Sequence, residues 1–255
     1  MPDTFPIRRI ILAAVLVMLS FSFIKKEAGH ADTATVSIQL THSFGAEELG
    51  FEKKYTNSAG EEFTLSKFKY YLSNFILIGT PNKPATGETY FLIDEENPES
   101  KKLIAPFEPG TYSGLRFLLG VDSLRNVSGA QTGALDPLHG MFWTWNTGYI
   151  MAKIEGHSPV SRMPGNFFEY HIGGFKGETN TLKQIDLKFP QAISLKKNQQ
   201  LKIQIQADLS KWFSGPVDLS IAAKPSITSP GANAKKVADN YADMFTLVDV
   251  KTNEP

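Results

Sequence analysis

The stretch TVSIQLTHSF, Thr35 to Phe44, alternates apolar and polar side chains. Val36, Ile38 and Leu40 fall on one side of an extended chain, and the polar residues between them fall on the other. Successive side chains of a β-strand point to opposite faces, so this pattern predicts a strand with one buried face. His42 is in phase with the apolar residues, which makes it a candidate buried histidine.

Segments of the same kind recur along the chain and end at turn-forming residues. They are FKYYLSNFILIG (68–79), TYFLIDEEN (89–97), TYSGLRFLLGVD (111–122), KQIDLKFP (183–190) and QLKIQIQADL (200–209). Helical patterns are few: DLSKWF (208–213) predicts a single turn, and NAKKVADNYADMFTLV (233–248) has apolar residues at helical spacing. The sequence therefore predicts an all-β fold, an antiparallel β-sandwich with a few short helices, one of them near the C-terminus.

The N-terminus has the features of a secretory signal. Arg8 and Arg9 precede an apolar run from Ile10 to Ile24, and small residues follow up to Ala31. The run is shorter than the roughly 20 apolar residues of a membrane span. We therefore expect a signal peptide over residues 1–31, or an uncleaved anchor there, and a single domain over residues 32–255. The predicted location is periplasmic or secreted, with membrane contact only through the N-terminal signal if it is uncleaved.

The composition excludes several function classes. Lys and Arg total 26, as do Asp and Glu, so no basic field points to a nucleic-acid partner. The chain has no cysteine, which excludes disulfides, thiolate metal sites and cysteine nucleophiles. It lacks the G-x-S-x-G, P-loop and G-x-G-x-x-G motifs. We expect no enzymatic activity and no catalytic residues.

The segment HGMFWTWNTGYIMAKIEGHSP, from His139 to Pro159, contains two of the three tryptophans of the chain. As an extended strand it places Met141, Trp143 and Trp145 on one side. One interpretation is an aromatic core strand. The other is a soft-metal site, because thioether and imidazole ligands favour Cu(I).

Two histidines lie in predicted strands. His42 has been described, and His171 lies in NFFEYHIGGFKG (166–177), in phase with Phe167 and Glu169. A buried imidazole needs a partner for each ring nitrogen. A structural histidine with both nitrogens satisfied is the usual outcome, and a metal ligand is the alternative.

Four motifs together resemble the MbnP-like family. They are YYLSN (Tyr70–Asn74), LDPLHGMFWTWNTGYIMAKIEG (Leu135–Gly156), YHIGG (Tyr170–Gly174) and ADNYADMF (Ala238–Phe245). The resemblance implies a secreted β-sandwich that binds copper and is often encoded beside a di-haem c-type enzyme of the MauG or cytochrome c peroxidase type. In characterised members that enzyme oxidises a tryptophan to kynurenine, and the kynurenine amine and two histidines then hold Cu(I).

Carried over by position, the resemblance implies His42 and His171 as copper ligands and Trp143 or Trp145 as the oxidised residue. His139 and Met141 are close to Trp143 and Trp145 in the sequence. They are candidates either to replace one of these ligands or to support the ligands from behind. The leading hypothesis is a copper-binding protein, with Cu(I) as the expected ion, that serves copper uptake or handling. It predicts that Ala at His42 or His171 abolishes tight Cu(I) binding while the fold survives.

The alternative hypothesis is a secreted β-sandwich module for glycan binding or adhesion. Trp143 and Trp145 would then be platforms that stack on sugar rings. Sugar binding without metal dependence, lost on substitution of either tryptophan, distinguishes this module from a copper protein.

Overall fold

The computed structural model describes residues 33–87, 89–146 and 148–253. The predicted signal peptide lies outside these ranges. The strands of the described ranges are β1 (Ala34–Phe44), β2 (Glu47–Glu48), β3 (Tyr55–Thr56), β4 (Glu62–Gly79), β5 (Lys83–Pro84), β6 (Tyr90–Asp94), β7 (Lys102–Phe107), β8 (Gly110–Leu119), β9 (Phe142–Trp143), β10 (Gly148–His157), β11 (Phe167–Gly173), β12 (Lys183–Leu195), β13 (Gln200–Asp208), β14 (Ser226–Ile227) and β15 (Phe245–Asn253).

Helices are short in the same ranges. The two α-helices are α1 (Ser123–Val127) and α2 (Ala232–Tyr241). The 3-10 helices are Pro98–Lys101, Gly133–Leu135, Pro137–His139, Pro164–Asn166, Gly177–Thr179 and Leu209–Trp212. The last of these confirms the turn predicted from DLSKWF. No helix of the described chain has the length and apolar character to cross a membrane.

The strands form two sheets. The smaller has the order β15-β13-β1-β2, and β7 also pairs with β1. The larger has the order β12-β8-β4-β10-β11-β14; the short strands β3, β5 and β6 also pair with β4, and β9 pairs with β10. Most pairings are antiparallel, but β1 runs parallel to β13 and β11 runs parallel to β14. The predicted β-sandwich is confirmed, with mixed rather than purely antiparallel sheets.

The main core lies between the two sheets. From β1, Val36, Ile38 and Leu40 point into it, as the alternation predicts. From β4, Phe68 and Tyr70 reach the same core, and all of these side chains are almost fully buried. Burial of such apolar and aromatic surface is the main term that stabilises the sandwich.

The C-terminal segment corrects part of the sequence interpretation. The helix α2 ends at Tyr241, whereas the apolar spacing predicts a helix that continues to Val248. The chain instead begins β15 at Phe245, which pairs with Ala207 of β13. An edge strand left open would expose unpaired backbone groups, so sheet pairing outweighs the local helical pattern here.

A second apolar cluster lies on the outer face of the larger sheet, and we call it the outer cluster. Its buried members are Tyr71, Val121, Leu135, Met141, Trp143, Tyr149, Ile150 and Met151. The segment between β8 and β10 covers this face and is held by the buried Asn126. The Asn126 amide donates to the carbonyl oxygens of Val121 and Asp122, and its oxygen accepts from the backbone N–H of Tyr149.

Candidate functional site

His42 faces the interior of the sandwich, where only 4% of its surface is exposed. Its Nδ1 atom hydrogen-bonds the Glu95 carboxylate, and its Nε2 atom lies 2.8 Å from the hydroxyl oxygen of Tyr70 on β4. An ionised carboxylate only accepts, so Nδ1–H donates to Glu95 and Nε2 accepts the Tyr70 O–H. Both ring nitrogens are therefore engaged, and neither has a free lone pair for a metal ion.

Burial controls the charges of this network. Burial lowers the pKa of His42 below its ordinary value of 6.5, although the hydrogen bond and charge of Glu95 oppose that shift. Burial works against ionisation of Glu95, but hydrogen bonds from His42 and Lys101 hold the pKa of its carboxyl below the usual value. Burial also raises the pKa of the Tyr70 hydroxyl, which stays protonated. A neutral imidazole thus lies between a carboxylate and a phenol.

His171 lies on β11 and points to the outer face of the larger sheet. Its neighbours Tyr170 and Ile172 point into the main core, so His171 points away from it. It is directly opposite Lys153 in the register of β10 and β11, and its Nε2 atom lies 2.9 Å from Oε1 of Glu155. The carboxylate accepts, so Nε2 carries the proton and Nδ1 carries the lone pair. Within the described residues no hydrogen bond engages Nδ1.

Charged side chains surround His171 on this face. Glu169 Oε2 lies 3.7 Å from His171 Nε2, and Lys153 Nζ lies 3.8 Å from Glu155 Oε1. Burial works against ionisation of Glu155, but the His171 hydrogen bond and the Lys153 charge hold its pKa below the usual value. Burial lowers the pKa of Lys153, and Glu155 opposes that shift. Sequence reasoning missed these groups, although strand alternation along β10 places Lys153 and Glu155 on one face.

The tryptophan segment crosses this outer face beside His171. Lys153 Nζ donates to the carbonyl oxygen of Gly140 at 2.5 Å. The ring of Trp143 covers Gly173 so closely that a Cβ at Gly173 would lie 2.6 Å from Cζ3 of the indole. Gly173 is on the same face of β11 as His171, two residues further along. The tryptophan segment is therefore held at two points near His171. One is Lys153, opposite His171 on β10, and the other is Gly173, two residues along β11.

The other predicted site residues divide between the outer cluster and solvent. Met141 is fully buried in the outer cluster, beside Trp143. Trp145 is 65% exposed, with its ring centroid 5.6 Å from that of Trp143. The prediction that all three share one side of a strand is wrong, because β9 ends at Trp143 and the chain turns. His139 is exposed, and its Nε2 atom lies 3.0 Å from the carbonyl oxygen of Gly133.

The two histidines that the resemblance pairs lie on opposite faces of the larger sheet. His42 contacts Tyr70, whose side chain points inward from β4. Lys69 precedes Tyr70 on β4, so its side chain points to the opposite, outer face. Lys69 pairs with Lys153 and Lys153 pairs with His171, so His171 is also on the outer face. This geometry corrects the predicted pairing, because one ion cannot contact both imidazoles through the sheet. The structure brings His171, Trp143 and the turn that carries His139 to one face.

No group of three or more His, Asp and Glu side chains is arranged to hold a metal ion within residues 33–87, 89–146 and 148–253.

Comparison with known proteins gives the family. The MbnP family model matches residues 33–229, which include three of the four sequence motifs. No curated protein sequence matches the chain. Among solved structures, MbnP from Methylosinus trichosporium is similar, with 15% sequence identity and a TM-score of 0.49, covering 87% of this chain and 99% of that chain. Because the family model matches most of the chain and agrees with the motifs, this protein belongs to the MbnP family.

Proposed function

We propose that this protein is a secreted, non-enzymatic copper-binding protein that holds Cu(I) on the outer face of β11 and serves copper uptake or handling. The observation that carries the proposal is the position of the Trp143 indole, which covers Gly173 on the same face as His171. A soft, oxidisable ring and an imidazole with a free lone pair then border one site.

The hydrogen bonding of His171 supports its role as a ligand. A histidine that binds a metal through one nitrogen usually donates its other N–H to a carboxylate or carbonyl, which orients the ring. Nε2–H of His171 makes this bond to Glu155, and Nδ1 remains for copper. His42 has no such free nitrogen, since Glu95 and Tyr70 engage both. We therefore assign the ligand role to His171 and not to His42.

His139 is the second histidine of the proposed site. It precedes Gly140, whose carbonyl is bound by Lys153, the residue opposite His171. Its Nε2 faces the Gly133 carbonyl, which only accepts, so Nδ1 carries the lone pair. Both His139 and His171 thus present Nδ1, and low-coordinate Cu(I) accepts such imidazole donors.

A modified Trp143 would supply the remaining donor. Conversion of the indole to kynurenine cleaves the C2–C3 bond: two molecules of hydrogen peroxide each leave one oxygen atom on these carbons and are reduced to water, and a further water molecule then releases formate and frees the aromatic amine. The side chains of this protein supply no oxidant for this reaction, so we propose a di-haem c-type enzyme of the MauG type as the partner. We assign the modification to Trp143 because its indole covers Gly173 on β11, whereas Trp145 is mostly exposed.

Competition with a chromophoric Cu(I) chelator tests the site in protein purified from its native host. We expect His171→Ala to weaken Cu(I) binding by more than about 100-fold, and Glu155→Ala to weaken it by about 10-fold to 100-fold, because the ring of His171 loses the acceptor that orients it. His157→Ala is the matched control, because His157 is an exposed histidine at the far end of β10. Undiminished affinity in His171→Ala would refute the assignment. Peptide mass spectrometry of residues 135–153 should show kynurenine at Trp143.

A glycan-binding module is the second candidate, and the exposure of Trp145 favours it. An exposed indole offers a flat apolar surface for a sugar ring. Saturable binding of cellobiose that is lost in Trp145→Ala and insensitive to copper chelators would establish this function in place of copper binding.

A further inference from the structure

A cavity of about 570 Å³ opens beside the outer cluster. Trp143, Tyr149 and Phe175 are among the residues that line it, and α1 borders it through Val127. Its size lies within the roughly 300–1,000 Å³ range of small-molecule sites, which are mostly apolar with a few placed polar groups. The cavity therefore has the dimensions and lining of a site for one small organic molecule.

The charge of the lining is one-sided. Lys176 is the one charged residue among the described residues that line the cavity, and none of them is acidic. Lys176 Nζ lies 5.6 Å from the ring centroid of Phe175, and it makes no ion pair within the described part of the chain. Asn146 and Thr179 add polar groups at the same cavity. The exposed ammonium group of Lys176, without a carboxylate partner in the described part of the chain and beside the ring of Phe175, is complementary to an anion at the mouth of the cavity.

We propose that this cavity binds a planar organic anion, a conjugated ring system that carries a carboxylate or sulfonate group. The ring system stacks against the aromatic walls, and the anionic group pairs with Lys176. The buried amide of Asn126 is fully engaged by the backbone, so it shapes the cavity wall and does not recognise the ligand. The proposal does not rest on copper binding.

Isothermal titration calorimetry with two matched probes tests the proposal, in the presence of a copper chelator. Naphthalene-2-carboxylate and 2-naphthalenemethanol share the ring system and differ in charge. We expect the carboxylate to bind saturably and more tightly than the alcohol. Lys176→Gln should weaken carboxylate binding by about 3-fold to 10-fold and leave alcohol binding unchanged. Lys211→Gln, at an exposed lysine outside the cavity lining, should change neither.

A second variant fills the cavity. A Cβ at Gly148 would meet no atom closer than 3.7 Å, so Gly148→Val projects a side chain into the cavity without a clash at Cβ. We expect this variant to melt near the wild-type temperature and to bind neither probe. Equal affinity of the wild type for both probes, no saturable binding, or an unchanged affinity ratio in Lys176→Gln would each overturn the proposal. The Lys176→Gln comparison decides the question by itself if Gly148→Val does not fold.

Discussion

His42 and His171 look alike in the sequence, and the structure makes them opposites. Each lies on a strand in phase with large apolar or aromatic residues. His42 is sealed inside the sandwich with both nitrogens engaged, whereas His171 lies on the outer face with one nitrogen engaged. Strand phase is therefore a poor guide to the surroundings of a histidine, because the hydrogen-bond partners of its ring come from other parts of the chain.

The two surroundings also differ in how they are closed. Around His42 the aromatic side chains of Phe68 and Tyr70 pack at ring distances of 4.9 and 5.6 Å. Around His171 the neighbours are Lys153, Glu155 and Glu169, with partial access to solvent. The first arrangement is a closed core contact, and the second is a charged surface that solvent partly reaches.

The largest expected effect is the difference in the free energy of unfolding between the His42→Ala and His171→Ala variants. His42→Ala should lower the free energy of unfolding by about 2–5 kcal/mol, because it leaves a cavity and removes the partner of the Tyr70 hydroxyl. Glu95 keeps its two contacts with Lys101, so the loss is not larger. His171→Ala should cost at most about 1 kcal/mol, since its side chain is on a partly exposed face. Urea denaturation at neutral pH measures both.

This comparison also revises the expectation drawn from the family resemblance. The resemblance predicts that Ala at either histidine removes copper and spares the fold. The geometry predicts that His42→Ala harms the fold and spares the copper site proposed at His171. Equal stability losses in the two variants would contradict the separation of inner and outer faces.

A smaller effect concerns the pH dependence of stability, which follows from the protonation of the His42 ring. Burial lowers the pKa of His42 in the folded protein below the value of 6.5 expected in the unfolded chain. Glu95 opposes this shift but does not cancel it. As pH falls through 6.5, the unfolded chain takes up a proton that the folded chain resists, so stability decreases towards lower pH. We expect His42→Asn to lack this loss in urea denaturation between pH 7 and the folded pKa.

Leu40→Ala is the matched control for the pH experiment. Leu40 is buried two residues before His42 on the same face of β1, and its truncation should destabilise the fold while retaining the pH dependence. An identical pH profile in the wild type and in His42→Asn would show that His42 does not resist protonation in the folded state.

Strand alternation was sufficient to predict the sandwich, but not the face to which each strand turns. In β1 one face is apolar and the other polar, so the side of His42 could be assigned. In β11 aromatic residues occur on both faces, Phe167 on one and Phe168 on the other. Alternation then shows which residues share a face with His171, but not whether that face is the inner or the outer one. The packing of β11 against β10 and β14 decides this.

The position of Trp145 shows a second limit. Alternation predicts one face for Trp143 and Trp145 if the strand continues, but β9 ends at Trp143, which pairs with Gly148, and residues 144–146 are in a turn. The Asn146–Thr147–Gly148 sequence is a turn signal that outweighs alternation here. The hydrogen-bond partners of His42 and His171 come from other strands, so no local pattern reveals them.

The smallest expected effect compares two adjacent tyrosines that point to opposite faces of β4. Tyr70 donates to His42 in the main core, whereas the hydroxyl of Tyr71 is buried in the outer cluster without a hydrogen-bond partner among the described residues. Tyr70→Phe should cost about 1–2 kcal/mol, because the Nε2 acceptor of His42 loses its donor. Tyr71→Phe should be neutral or stabilise by up to about 1 kcal/mol, because it removes an unpaired buried hydroxyl.

Chemical denaturation of the two single variants and the double variant measures this contrast. The two tyrosines are adjacent on β4 and have the same side chain and the same neighbouring strands. The difference between their losses of unfolding free energy therefore reports the hydrogen bond and not the packing of the ring. Additive effects are expected, since the hydroxyls lie on opposite faces and share no partner. A destabilising Tyr71→Phe would mean that the outer cluster holds a polar partner for that hydroxyl, and the outer face would then be as fully satisfied as the inner one.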